Sequence, residues 1–286
     1  MRWRPSFVAP RPESDPAAGP PEIAVVRRSF VTARGIRFHV TEAGPANKRP
    51  VLALHGGPQH HYAYRHLLAD PPDDLRIIAP DLPGYGWSGP APHRWAKDWG
   101  GYIAHLLVLR EPERFDALLA LNIAHPWQTP RSFLPHAWRF LIYQPPVAAF
   151  GTYLHQRTRF LEQLIFVGAV RNRDEFGPEV IHAYADRFRD PLCARTAADT
   201  YRTFLLREVP RSAVRREQRR ATVPIRALFG VDDAAIHPSL ASEKTARADD
   251  YRLELAQNCG HFIAEERPDL VRARLVELAT TTAHPA

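Results

Sequence analysis

The chain has 286 residues, 45% of them hydrophobic and 24% charged, a length and balance that suit one globular α/β core and exclude a fibrous or low-complexity polymer. Its net charge of +7 comes from scattered arginines, and the cluster Arg211, Arg215, Arg216, Arg219 and Arg220 reads as a solvated helix face or linker, so no nucleic-acid partner is expected. The two cysteines lack metal-ligand spacing, no stretch is long enough to span a membrane, and the N-terminus lacks a secretory apolar run, so a cytoplasmic protein with no membrane partner is expected.

In chain order, residues 1–22 are rich in proline and polar side chains and are expected to form a disordered arm. Strand patterns follow over 23–32, 36–41 and 51–54, the first two joined by a turn at Ala33-Arg34-Gly35. The third breaks into the glycine loop His55-Gly56-Gly57-Pro58. His60 and His61, adjacent and without a carboxylate at ligand spacing, read as exposed loop residues rather than a metal site. A short helix is expected over 62–69 and a strand over 75–80, ending in the loop Asp81-Leu82-Pro83-Gly84-Tyr85-Gly86-Trp87-Ser88.

In Ala96-Lys97-Asp98-Trp99-Gly100-Gly101, small residues flank Asp98 as a tight strand-to-helix turn requires, and Ile103, Leu106, Leu107 and Leu109 recur at helical spacing. Asp98 would stand near the positive end of the helix dipole, ionised, although an ordinary N-cap looks the same. A strand is expected over 117–122. Residues 128–220 show apolar positions at helical intervals and no strand pattern, which predicts an inserted helical lid. Strands return over 223–229 and 251–255, and a helix over 268–279 closes the chain. The core is thus expected over 23–127 and 221–286, as a mostly parallel sheet with helices on both faces.

Four loops at C-terminal strand ends carry His55-Gly56-Gly57-Pro58, Asp98, Asp232-Asp233 and Asn258-Cys259-Gly260-His261. The chain order of nucleophile, acid and histidine is that of the α/β-hydrolase site. On these motifs, with the Asp81–Ser88 loop, Asp98-Trp99-Gly100-Gly101 and Gly230-Val231-Asp232-Asp233, the chain resembles the α/β-hydrolase-fold epoxide hydrolases from about residue 23 to its end. The resemblance implies Asp98 as nucleophile, His261 as base and Asp233, three residues after Gly230, as the orienting acid. It further implies an oxyanion hole from the N–H groups of Gly57 and Trp99, substrate contacts from His55 and Pro58, and lid tyrosines Tyr201 and Tyr143 as the acid at the departing oxygen. The substrate would be a small epoxide, with no cofactor and no metal; the sequence carries no signal for oligomeric state. A haloalkane dehalogenase would use the same triad, but Gly57 has no side chain to offer a halide; a catalytically dead homologue is the third reading.

The sequence departs from that family in one place. Only nine residues, 89–97, including Pro90 and Pro92, separate Ser88 from Asp98. A parallel crossover alone takes at least ~10–12 residues. The helix and strand that precede the nucleophile are therefore expected to be missing, leaving one strand fewer or a short irregular strand near 93–97, and a poor or inactive hydrolase.

Overall fold

Period-two burial builds the sheet. Leu75, Ile77 and Ala79 of β4 (Leu75–Pro80) are buried, and their neighbours in sequence are only partly so. The computed structural model describes residues 15, 17–90, 100–174, 176–210, 217–242 and 247–282; the expected arm lies largely outside them. β4 pairs antiparallel with β2 (Ile36–Ala43), which pairs antiparallel with β1 (Arg27–Ala33), and parallel with β3 (Arg49–Leu52). α1 (Arg65–Ala69) lays Leu67 and Leu68 against this sheet's core. The order is β1-β2-β4-β3.

A second sheet, β5-β6-β7, is wholly parallel: β5 (Leu118–Leu121), β6 (Ile225–Gly230) and β7 (Tyr251–Ala256). Between the chain positions of the two sheets runs α2 (Gly100–Arg110), whose Val108 and Leu109 pack with Leu118, Ala120 and Ile225. Where the sequence predicts one sheet, the described residues hydrogen-bond as two. β3 pairs only with β4 and β5 only with β6, and among the described residues no strand lies between them. At their N-terminal ends a side chain makes the connection instead: Arg49 of β3 donates to Asp116 Oδ2, just before β5, at 2.6 Å, and to the carbonyl of Ala279 at 2.6 Å. The segment 93–97, where a short irregular strand is expected, lies outside the described residues.

Between β5 and β6 the described residues are helical: α3 (Pro130–Phe133), α4 (Ala137–Arg157), α5 (Val167–Ala169), α6 (Pro178–Arg187) and α7 (Pro191–Thr203). α4 packs closely on α7, where a Cβ at Gly151 would come within 3.0 Å of the Ala198 Cβ. Arg189 and Glu162 form a buried pair at 2.7 Å, with Arg189 also donating to the carbonyls of His155 and Thr158. α8 (Ile263–Glu266) and α9 (Pro268–Thr281) close the chain against β4 through Ile263, Val271 and Leu275.

Candidate active site

The site is built where strands end. β6 stops at Gly230, and a Cβ there would lie 2.4 Å from the Cys259 carbonyl oxygen and 2.2 Å from that of Gly260. Only glycine lets the loop after β7 approach so closely, and that approach brings Asp233 and His261 together. His261 Nδ1 lies 2.8 Å from Asp233 Oδ2. Asp232 instead turns outward, 3.8 Å from Arg171. With a carboxylate on Nδ1, that nitrogen carries the proton and Nε2 is left with its lone pair. Burial acts to lower the His261 pKa, but the charge and hydrogen bond of Asp233, helped by Glu266, outweigh it and hold the ring above its ordinary value.

Asp233 is buried and fully used. Its Oδ1 accepts from the N–H groups of Ala235 (2.7 Å) and Ile236 (2.9 Å), and its Oδ2 accepts from His261 and from Asn122 Nδ2 at 2.7 Å. Asn122, at the end of β5, adopts φ +44°, donates also to the Gly260 carbonyl at 2.9 Å and accepts from the Gly230 N–H at 3.2 Å. It ties the ends of three chain segments to the acid, and nothing in its sequence context marked it. Glu266 does the same for the histidine loop. Its carboxylate accepts from the N–H groups of Gly260, Phe262, Arg171 and Asn172, at 2.8–3.2 Å. Arg139 of α4 donates to the carbonyls of Asp233 (2.9 Å) and Ala234 (3.1 Å), tying the helical segment to the acid loop.

The glycine loop after β3 faces the same space. His55 is buried, its Nε2 accepts from the Leu82 N–H at 2.9 Å and its Nδ1 faces the Gly56 carbonyl at 3.0 Å; burial pushes its pKa down. α2 starts against this loop, with Gly100 N–H donating to the His55 carbonyl at 3.0 Å. A Cβ at Gly100 would sit 2.3 Å from the carbonyl oxygens of Leu54 and His55, so this packing also needs glycine. Asp98 and Trp99 lie outside the described residues.

Tyr143 of α4 and Tyr201 of α7 meet edge to face, ring centres 5.8 Å apart and planes at 89°. Burial pushes the Tyr143 hydroxyl up to about 12; a hydrogen bond from Gln144 opposes the shift and the charge of Asp233 adds to it. It is therefore a held proton donor at neutral pH. Both tyrosines, His261, His55, Gly57 and Pro58 line one cavity of about 2370 Å³. Ligand pockets are commonly ~300–1,000 Å³. The space also runs along β3 and β5, touching Val51, Leu52, Leu119 and Leu121.

His60 and His61 correct the sequence reading: both are fully buried, not exposed. His61 and His39 each place Nδ1 2.9 Å from Asp81, and the three ligand-type atoms lie within 4.8 Å of one another. A cation would need that carboxylate, which already accepts from both rings and from the N–H groups of His61 (2.8 Å) and Trp87 (3.0 Å). Burial alone would raise the Asp81 pKa, yet the two imidazoles hold it well below the usual carboxylate range. The cluster fits an anchor for the Asp81–Ser88 loop better than a metal centre. The adjacency of the histidines hid this, because the partners come from β2 and β4, far away in sequence.

A sequence profile of the alpha/beta hydrolase fold matches residues 49–98. The chain is 26% identical over 273 residues to Epoxide hydrolase 4 of Mus musculus, covering 83% of this chain and 74% of that one. It is 25% identical over 287 residues to Haloalkane dehalogenase 2 of Mycobacterium tuberculosis, covering 87% and 93%. Among solved structures, a mutant of an epoxide hydrolase from Bacillus megaterium superposes with a TM-score of 0.75 at 18% identity, over 88% of this chain and all of that one. With the strand order, the glycine-crossed loops and the His261–Asp233 pair, these likenesses identify the chain as a hydrolase of the α/β-hydrolase fold.

Proposed function

We propose that the chain opens an epoxide to a diol through a covalent ester on Asp98. Asp98 stands two residues before Gly100 in the sequence. A carboxylate oxygen of Asp98 attacks one epoxide carbon; that carbon's bond to the ring oxygen breaks, and the oxygen takes a proton from Tyr143 or Tyr201. His261 Nε2 then removes a proton from water, whose oxygen attacks the ester carbonyl. The N–H groups of Gly57 and Trp99 meet the resulting oxyanion. Its collapse breaks the bond to the diol oxygen, which takes the proton held on His261 Nε2. The new Asp98 carboxyl gives its proton through water to the tyrosinate, so that carboxylate, histidine and tyrosine are restored as the diol leaves. His55 and Pro58 shape the floor of the substrate space, and residues 128–220 act as its lid over a core of 23–127 and 221–286. The observation that carries the reading is the crossed tyrosine pair lining the same cavity as a histidine paired to a buried aspartate. A halide leaving group needs no proton donor, which makes the dehalogenase reading second.

The full chain would be assayed for diol formation from styrene oxide. Asp98→Asn abolishes turnover, Tyr143→Phe with Tyr201→Phe lowers it by ~10²–10⁴, and His261→Gln accumulates an ester on the Asp98 peptide, seen by mass spectrometry. Parent-like turnover by Asp98→Asn overturns the proposal, and faster release of bromide from 1-bromobutane than of diol would install the second reading. Turnover by the parent is expected to be low, because only nine residues separate Ser88 from Asp98, too few for the crossover helix and strand that would support the nucleophile, and a ~1 Å misplacement of the nucleophile costs ~10²-fold. Inserting a helix and strand between Ser88 and Asp98 should raise both turnover and melting temperature; unchanged values would sink this part.

A further inference from the structure

α4 is apolar on both faces, and the described residues cover only one. Val147, Gly151 and Leu154 are buried, Gly151 against Ala198 of α7. On the opposite side Trp138, Leu141, Ile142, Ala149 and Tyr153 recur at helical spacing in an exposed stripe, with Phe150 at its edge. Trp138, Leu141, Ile142, Phe150 and Tyr153 are each between 56% and 66% exposed. The stripe from Trp138 to Tyr153 is about 22 Å long. A helix that is apolar all round belongs inside something.

Two further observations say what covers it. Residues 117–161 contain four arginines and no aspartate or glutamate, and Arg131 and Arg157, one at each end of the stripe, are exposed. Arg207 is exposed as well, on the segment after α7, where Leu206 also faces outward. The stripe is also continuous with the cavity, since Trp138 and Ile142 both face solvent and line it. We infer that this face of α4 docks on an anionic lipid surface, its apolar stripe lying in the interface and its arginines meeting the head groups. Partly inserted apolar side chains and attraction of basic residues to anionic lipid add together in this kind of binding. A second copy of the chain fits less well. A two-fold interface would press the same acid-free, arginine-bearing face against itself. No helix among the described residues is long and apolar enough to cross a membrane, and the sequence expectation of no membrane partner rested on that criterion, which a helix lying flat escapes. An apolar substrate dissolved in the lipid would then meet the cavity mouth directly.

The test is flotation of the full chain with vesicles of phosphatidylcholine containing 30% phosphatidylglycerol, and with phosphatidylcholine alone, at 0.1 and 0.5 M salt. It needs no assumption about the reaction. Expected are binding to the anionic vesicles at least tenfold tighter than to neutral ones, and weakening in 0.5 M salt. Leu141→Asp with Phe150→Asp, neither of which lines the cavity, should cost at least tenfold in binding with an unchanged thermal transition. Should that variant not fold, Arg131→Gln with Arg157→Gln tests the same surface and should cost several-fold on anionic vesicles alone. The inference is overturned if the parent does not float with anionic vesicles at 0.1 M salt. It is equally overturned if both variants bind like the parent, or if the parent is a dimer that the aspartate variant dissociates while no vesicle binding is seen.

Discussion

Asn122→Ala isolates what the site's geometry rests on. The side chain makes three buried hydrogen bonds, to Asp233 Oδ2, the Gly260 carbonyl and the Gly230 N–H. Truncation removes one bond to a charged group, at ~1.5–3 kcal/mol, and leaves a donor and an acceptor without partners at ~1–3 kcal/mol each where water does not enter. Alanine at φ +44° adds ~1 kcal/mol of backbone strain that asparagine tolerates better. Allowing for relaxation and water entry, the loss should be about 3–5 kcal/mol, at the upper end of single-site effects. At roughly 2 °C per kcal/mol for a chain of this size, the melting temperature falls by about 6–10 °C, read by calorimetry at pH 7.5. Asn122→Asp separates charge from shape. The new carboxylate would face Asp233, so its folded pKa is raised above the unfolded ~3.9. Its relative stability is then fullest below pH ~4 and declines as pH rises through the folded value. A loss under ~1 kcal/mol for the alanine variant, or a pH-independent deficit for the aspartate one, would refute the account of Asn122 as the tie between the acid and the ends of β5 and β6.

Asp233→Asn should drop the His261 pKa below its ordinary ~6.5, because burial, the largest influence on the ring, is then opposed only by the smaller effect of Glu266; an NMR titration of the ring protons reads this, and an unchanged value would refute the pairing. In the parent the pair's stabilisation is complete below pH ~6.5 and is lost as pH rises through the raised folded pKa, so the parent's advantage in melting temperature over the variant should shrink in the same window. Arg189→Met leaves Glu162 buried without its partner and should cost ~3–5 kcal/mol in urea unfolding. Adding Glu162→Met should recover much of the loss, and a double variant no better than the single one would show that the pair is not what is being broken.

The strands and helices were legible because their periodicities are local. β4 forms on the apolar run Leu75–Pro80, α2 begins at the two glycines, and the boundaries moved by only a few residues, as at β1, which starts at Arg27 rather than near residue 23. The partner of His261 was legible too: the spacing from Gly230 pointed to Asp233 over Asp232, and the 2.8 Å contact follows from the close approach that Gly230 allows. What escaped the sequence were side chains whose partners arrive from elsewhere in the fold. His60 and His61 read as a polar loop, yet His61 is held under β4 by Asp81, and Asn122 and Glu266 look unremarkable in their own segments while each holds a loop of the site in place. Likewise the outward stripe on α4 is invisible to hydropathy, because one sequence carries two apolar faces and only tertiary packing decides that Val147, Gly151 and Leu154 are buried, Gly151 against α7, while Trp138, Leu141 and Tyr153 stay outside. Local pattern determines which elements form; burial and hydrogen-bond partners depend on contacts between distant segments, and those exist only once the chain has closed on itself.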